Sequence, residues 1–151
     1  METTEKIVES YCRYVKQWFT IPNIKCKGQY EVDLLAVDTK SKRLRRYHIE
    51  CGVSISGSFS KLTDKPFSQS DLKIRVKQAS QRRTFGYFLE RKFELEEVIS
   101  ELNKYGFERD NYQRIIVTWG QLSKRRSRRN STMSFYGIFE IYCMKSQMRA
   151  K

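Results

Sequence analysis

The sequence predicts one mixed α/β domain, a central sheet covered by helices. Three observations carry that prediction. Two neighbouring segments, 29–36 and 47–55, alternate apolar and polar residues with period two, as half-buried strands do. Apolar residues in 7–18, 72–89 and 95–102 recur at helical spacing instead. The run Arg114-Ile-Ile-Val-Thr-Trp-Gly120 is short, apolar and β-branched, the signature of a buried strand. A chain of 151 residues is about the size of one domain, so 1–151 is taken as a single unit without internal repeats.

In chain order, the first element is a helix over 4–19. Ile7, Val8, Tyr11, Tyr14, Val15 and Trp18 form its apolar stripe, Thr3 or Thr4 caps it, and Ile21-Pro22-Asn23 ends it. The two alternating segments follow. Tyr30, Val32, Leu34 and Ala36 fall on one face of the first, with Glu31, Asp33 and Leu35 on the other. Tyr47, Ile49, Cys51 and Val53 share one face of the second, with His48, Glu50 and Gly52 on the other. The polar link 39–44 makes an antiparallel hairpin the simplest connection. Folding symmetrically about Ser41 and Lys42 sets Asp33 opposite Glu50 and Glu31 opposite Gly52, with facing Cβ atoms roughly 5 Å apart. Two or three carboxylates held together in this way are costly unless they share a cation, and such an oxygen cluster suits a hard divalent ion such as Mg²⁺.

Residues 54–68 are rich in turn formers and read as a long loop, placed to act as a substrate-facing flap. Ser70 or Asp71 opens a strongly basic helix carried to about Leu89 or Arg91, with Lys73, Arg75, Lys77, Gln78, Gln81, Arg82 and Arg83 along it. A further helix over 94–105 closes at Gly106. After the strand 114–120 comes the basic run Lys124, Arg125, Arg126, Arg128, Arg129, an exposed loop suited to phosphate contact, and a last strand over 133–144.

Net charge of +13 favours a polyanionic partner, because Lys and Arg that neutralise phosphates gain from counterion release; nucleic acid is the expected partner and a membrane is not. No apolar run approaches the length of a membrane span, and the N-terminus does not read as a signal peptide, so a cytoplasmic protein is expected. Four scattered cysteines and one histidine offer no zinc site of usual spacing. Cys12 and Cys51 read as buried free thiols.

Tyr-Glu-Val-Asp33-Leu-Leu-Ala-Val and Tyr-His-Ile-Glu50-Cys-Gly together resemble the PD-(D/E)XK nucleases, in which Asp ends one strand and Glu-x-Lys lies on the next. By motif the resemblance covers these two strands, and by order of elements roughly the first 120 residues. It implies a restriction-endonuclease-like three-layer core and a Mg²⁺- or Mn²⁺-dependent endonuclease that hydrolyses phosphodiester bonds, with double-stranded DNA as the first expectation. Asp33 and Glu50 would bind the metal and serve catalysis, with the Cys51 carbonyl as an added ligand and Glu31 as a third acid or a neighbour. Such nucleases often add a Glu from the first helix; Glu9 matches, although it points away from the apolar stripe. The chain departs from the pattern at Gly52, which stands where the family has its catalytic lysine. Lys73, Lys77 or Lys61 are the substitutes weighed, Lys77 the preferred one, with Gln78 or Gln81 resembling a glutamine some branches carry. His48 faces the acids as a structural residue or a general base. A homodimer is the arrangement in which a chain this small cuts two strands. The rival reading is a catalytically inactive nuclease-fold module that binds DNA or RNA.

Overall fold

The computed structural model describes residues 3–40, 42–52, 66–82, 84–119, 131–135 and 139–144. Its centre is a six-stranded mixed sheet in the order β1-β2-β3-β4-β6-β5, formed by β1 (Phe19–Lys25), β2 (Glu31–Asp38), β3 (Arg45–Cys51), β4 (Tyr112–Trp119), β5 (Ser131–Phe135) and β6 (Phe139–Met144). β1, β2 and β3 form an antiparallel meander; β4 returns parallel to β3 and pairs antiparallel with β6. The parallel return requires a long crossover, and among the described residues four helices occupy it: α2 (Gln69–Leu72), α3 (Arg75–Gln81), α4 (Phe85–Phe93) and α5 (Glu96–Lys104).

The first helix is shorter than its apolar spacing suggests. α1 (Thr3–Ser10) widens into a π-type turn over Tyr11–Val15, closed by the Lys16 N–H on the Tyr11 carbonyl at 3.1 Å. Gln17 then takes a left-handed φ of 58°, and the chain leaves as β1. Phe19, expected to finish the helix, therefore begins the sheet, and the expected terminator Ile21-Pro22-Asn23 lies within β1. Pro22 is tolerated there because β1 is an edge strand that lacks a partner on its other side among the described residues. The single long helix expected after residue 70 is three short ones. Thr84 breaks it, buried, its hydroxyl accepting the Tyr87 N–H at 3.3 Å as the N-cap of α4. Gly86 lets the incoming chain lie against α4, since a Cβ there would meet the Phe67 Cβ at 2.7 Å. α5 closes at Gly106 as expected, with φ 73° and the Phe107 N–H on the Leu102 carbonyl.

The hairpin register is the symmetric one: Leu34 pairs with Ile49, Leu35 with His48 and Ala36 with Tyr47. Each strand consequently shows opposite faces to two helical layers. Leu34, Ala36, Tyr47, Ile49, Ile115 and Val117 pack against Val8 of α1 and Cys12 of the π-type turn, with Trp18 stacked on Tyr47 at 4.3 Å between ring centroids. Leu35 lies with Ile24, Val98, Leu102, Phe107 and Tyr112 beneath α5, and Ile116 packs on Phe93 of α4. Val32 joins this second group, so the simple alternation expected along β2 does not extend to it. Each fully buried aliphatic side chain here contributes about 1.5–3 kcal/mol from area alone.

Candidate active site

Asp33 lies near the start of β2 and Glu50 near the end of β3. Both point to the α4 side of the sheet, where Ile116 packs with Phe88, Leu89 and Phe93. The main chain fixes Asp33: the Cys51 N–H donates to its Oδ2 at 2.7 Å. The Asp33 N–H in turn approaches Glu50 Oε1 at 3.4 Å. This reciprocal contact follows from the symmetric register, which places the two acids side by side.

A lysine completes the group. Lys92, in the last turn of α4, sends its ammonium to Asp33 Oδ1 at 3.1 Å and to Glu50 Oε2 at 2.7 Å. Its Nζ also approaches the Glu31 carbonyl at 3.4 Å. The neighbouring Arg91 anchors the same turn to the entrance of β2 by donating to the Tyr30 hydroxyl at 3.0 Å. Glu50 is fully buried, Asp33 nearly so, and the Lys92 side chain, 31% exposed, is the wettest part of the group. His48 sits behind Glu50, fully buried, with its Nε2 2.6 Å from Glu50 Oε1.

The electrostatics follow from that burial. Desolvation, then the charge of Glu50, raises the Asp33 carboxyl to about 7 despite Lys92 and the Cys51 N–H. Desolvation likewise raises Glu50 to about 7 against the pull of Lys92. Burial works against the Lys92 ammonium, yet Glu50 and Asp33 outweigh it and hold its pKa above the usual lysine value. Burial lowers His48 to about 3, so the imidazole is neutral. One lysine therefore does not fully offset two buried acids near neutral pH. A divalent cation would. Asp33 Oδ1 and Glu50 Oε2 are the oxygens facing the shared space, and two carboxylates suffice for Mg²⁺, which keeps several waters and takes further oxygens from a substrate. Among the described residues no group of three or more His, Cys, Asp or Glu side chains is arranged to hold a metal ion.

The remaining candidates lie elsewhere. Lys77 pairs with Asp71 at 3.2 Å on the exposed surface of α3, and its ion pair is not with the acids. Lys73 follows α2 and Arg82 follows α3, both exposed; Gln78 is half-buried on α3, and Gln81 is that helix's last residue. Glu31 is ion-paired with Lys25, its cross-strand partner on β1. Glu9 is held by Arg13 at 2.9 Å and by the Thr20 hydroxyl at 3.3 Å. The acid of α1 whose charge reaches the end of β3 is Glu5, which joins burial, Asp33 and Glu50 in raising the Cys51 thiol. Cys12, Cys26 and Cys51 are free, and burial pushes the Cys12 thiol up to about 12. Lys61, Arg83, Lys124, Arg125, Arg126, Arg128 and Arg129, with residues 54–65 of the expected flap, lie outside the described residues.

Lys92 is the member that sequence reading missed, because the basic helix was expected to end at Leu89 or Arg91. A signal was present: Phe88, Leu89, Lys92 and Phe93 share one stripe of α4, which places a lysine among inward-facing apolar residues. No protein-family profile, curated protein or solved structure matches the chain. Among the described residues no helix is long and apolar enough to cross a membrane.

Proposed function

We propose that the chain is a metal-dependent nuclease of restriction-endonuclease-like fold, hydrolysing phosphodiester bonds in nucleic acid, DNA first, at a site made by Asp33, Glu50 and Lys92. One observation carries this reading: the ammonium of Lys92 bridges Asp33 Oδ1 and Glu50 Oε2. It supplies, from another element, the cation that Gly52 cannot supply from β3. The element order agrees with the resemblance: a helix, an antiparallel three-strand meander, helices, then a strand parallel to the third.

In this reading Asp33 and Glu50 would hold Mg²⁺ or Mn²⁺, and the ion would supply activation of water and stabilisation of charge on the scissile phosphate. Asp33 keeps its orientation through the Cys51 N–H, which occupies the oxygen turned away from the site. Lys92, the exposed member of the group, is placed to meet an incoming phosphate and offset negative charge as it develops there. The net charge of +13 draws the polyanion in.

The test is cleavage of supercoiled, linear, single-stranded and branched DNA with Mg²⁺ or Mn²⁺, alongside Asp33→Ala and Lys92→Met. Cleavage abolished by Asp33→Ala and reduced on the order of 10²–10³-fold by Lys92→Met supports the assignment. Cleavage that survives Asp33→Ala refutes the site. Tight, salt-sensitive binding without turnover on any substrate makes the chain a nucleic-acid-binding module on a nuclease-like scaffold instead.

A further inference from the structure

His48 is the only histidine in the chain, and it is fully buried. It lies two residues before Glu50 on β3 and so on the same face, where its Nε2 meets Glu50 Oε1 at 2.6 Å. The ring is fixed in place. Phe93 meets it edge-on at 4.5 Å between centroids, Tyr112 lies at 6.0 Å, and Leu35 is its cross-strand partner. Phe93 directly follows Lys92, so one turn of α4 fixes both the imidazole and the ammonium. Nδ1 is buried and has no hydrogen-bond partner among the described residues. A proton on Nε2 leaves only a lone pair at that unpartnered position, whereas a proton on Nδ1 would bury an unpaired N–H. With Nε2 committed to Glu50 and no exposed surface, the ring is not placed to take a proton from a substrate water.

We propose that His48 is a positioning residue for Glu50: its Nε2–H holds Oε1, so that Oε2 is the oxygen presented to Lys92 and to a bound cation. The proposal rests on the metal-site reading above and adds a residue to it. Glu50 enters through a flexible side chain with several rotatable bonds, and unlike Asp33 it receives only a long main-chain contact. Without His48 the carboxylate is held only by Lys92 on Oε2 and by that long main-chain contact on Oε1. Partners that orient metal-binding carboxylates in this way typically matter by about 10–100-fold in affinity.

The experiment is Mn²⁺ titration of the full chain by calorimetry, on wild type, His48→Leu and His48→Gln, with melting curves alongside. His48→Leu keeps the volume and removes the donor; His48→Gln returns an amide N–H near the Nε2 position. The expected result is a 10–100-fold loss of Mn²⁺ affinity in His48→Leu and recovery to within about threefold of wild type in His48→Gln. Equal affinity in all three proteins overturns the positioning role, and so does His48→Gln binding as weakly as His48→Leu. A wild type that takes up no Mn²⁺ overturns the metal-site reading and this proposal with it. Should His48→Leu fail to fold, His48→Gln and the ring ¹⁵N shifts of the native protein decide. A protonated Nε2 and a bare Nδ1 support the assignment, and the reverse tautomer refutes it.

Discussion

The two faces of the β2–β3 hairpin come from alternate residues of the same two strands, yet they are built on opposite terms. Towards α1 the wall is Leu34, Ala36, Tyr47 and Ile49, apolar throughout or nearly so, and each contact there is a gain from burial. Towards α4 the same strands bury Asp33, His48 and Glu50 in a space closed by Phe93 and Ile116. Both carboxyl groups on that face carry raised pKa values, so near neutral pH they lower stability even with Lys92 beside them. A protein selected for stability alone would replace this group with packed apolar side chains at little cost. The asymmetry teaches that one face holds the molecule together while the other holds charge in place.

The sharpest way to break the comparison is one substitution on each face. Asp33→Asn keeps the volume and an oxygen for the Cys51 N–H, and removes one of two crowded charges. It is expected to abolish cleavage while raising the melting temperature at pH 8. Leu34→Ala, on the α1 face, is expected to lower stability by about 2–4 kcal/mol through loss of buried surface and the cavity left behind. Turnover of its folded fraction should stay near wild type. Melting curves and cleavage rates on the two variants check this directly. If Asp33→Asn lowers the melting temperature at pH 8, the claim that the acids are held at a cost is wrong.

A smaller effect is expected from pH alone. Asp33 and Glu50 have ordinary values of 3.8 and 4.5 and are raised to about 7 in the folded chain. Between those limits the native state holds protons that the unfolded state has released, so unfolding free energy falls as pH rises. Stability of the metal-free protein should be greatest below about pH 4 as far as these groups decide it, and decline from there to about pH 7. Lys92 is charged in both states across that window and contributes no slope there. Denaturant titrations at several pH values with chelator present read the decline, and Mg²⁺ should reduce it by favouring the deprotonated carboxylates of the folded state. A shallower profile in Glu50→Gln, with the Asp33 part of the slope remaining, would assign the slope to this group, and an unchanged one would remove Glu50 from it.

How much of this was legible beforehand depends on how local each signal is. The hairpin and the side-by-side placement of Asp33 and Glu50 follow from period-two alternation and a short symmetric link, both written within about twenty residues. β1 was hidden because Trp18 and Phe19 extend the helical stripe, and because Pro22 and Asn23 look like terminators; that an edge strand accepts proline depends on the sheet's strand order, which a local reading does not contain. Lys92 was hidden for a different reason. It meets Asp33 across fifty-nine positions of sequence, and periodicity fixes the face a residue occupies but not which of several lysines reaches a distant acid. The cap at Thr84 sets the phase of α4; once α4 is seen to begin there, Phe88, Leu89, Lys92 and Phe93 align on one side.

That distinction gives the smallest expected effect, at Lys77. It was the preferred substitute for the missing motif lysine, since it lies on the basic helix after the acid-bearing strand. In the folded chain it is more than half exposed and its ion pair is with Asp71 at 3.2 Å, an arrangement worth little in water. Lys77→Met is therefore expected to change stability by less than about 0.5 kcal/mol. It should also leave the rate of cleavage at saturating substrate near wild type. If Lys77 contributes at all, it is as one positive charge on the exposed surface of α3, which would appear as weaker binding and a shallower dependence on salt. Measured beside Lys92→Met, the variant separates a lysine that meets the carboxylates from one that only adds to the surrounding field. A loss of turnover at saturation in Lys77→Met, with Lys92→Met unaffected, would return the catalytic cation to α3 and leave Lys92 as a clamp that keeps two buried acids together.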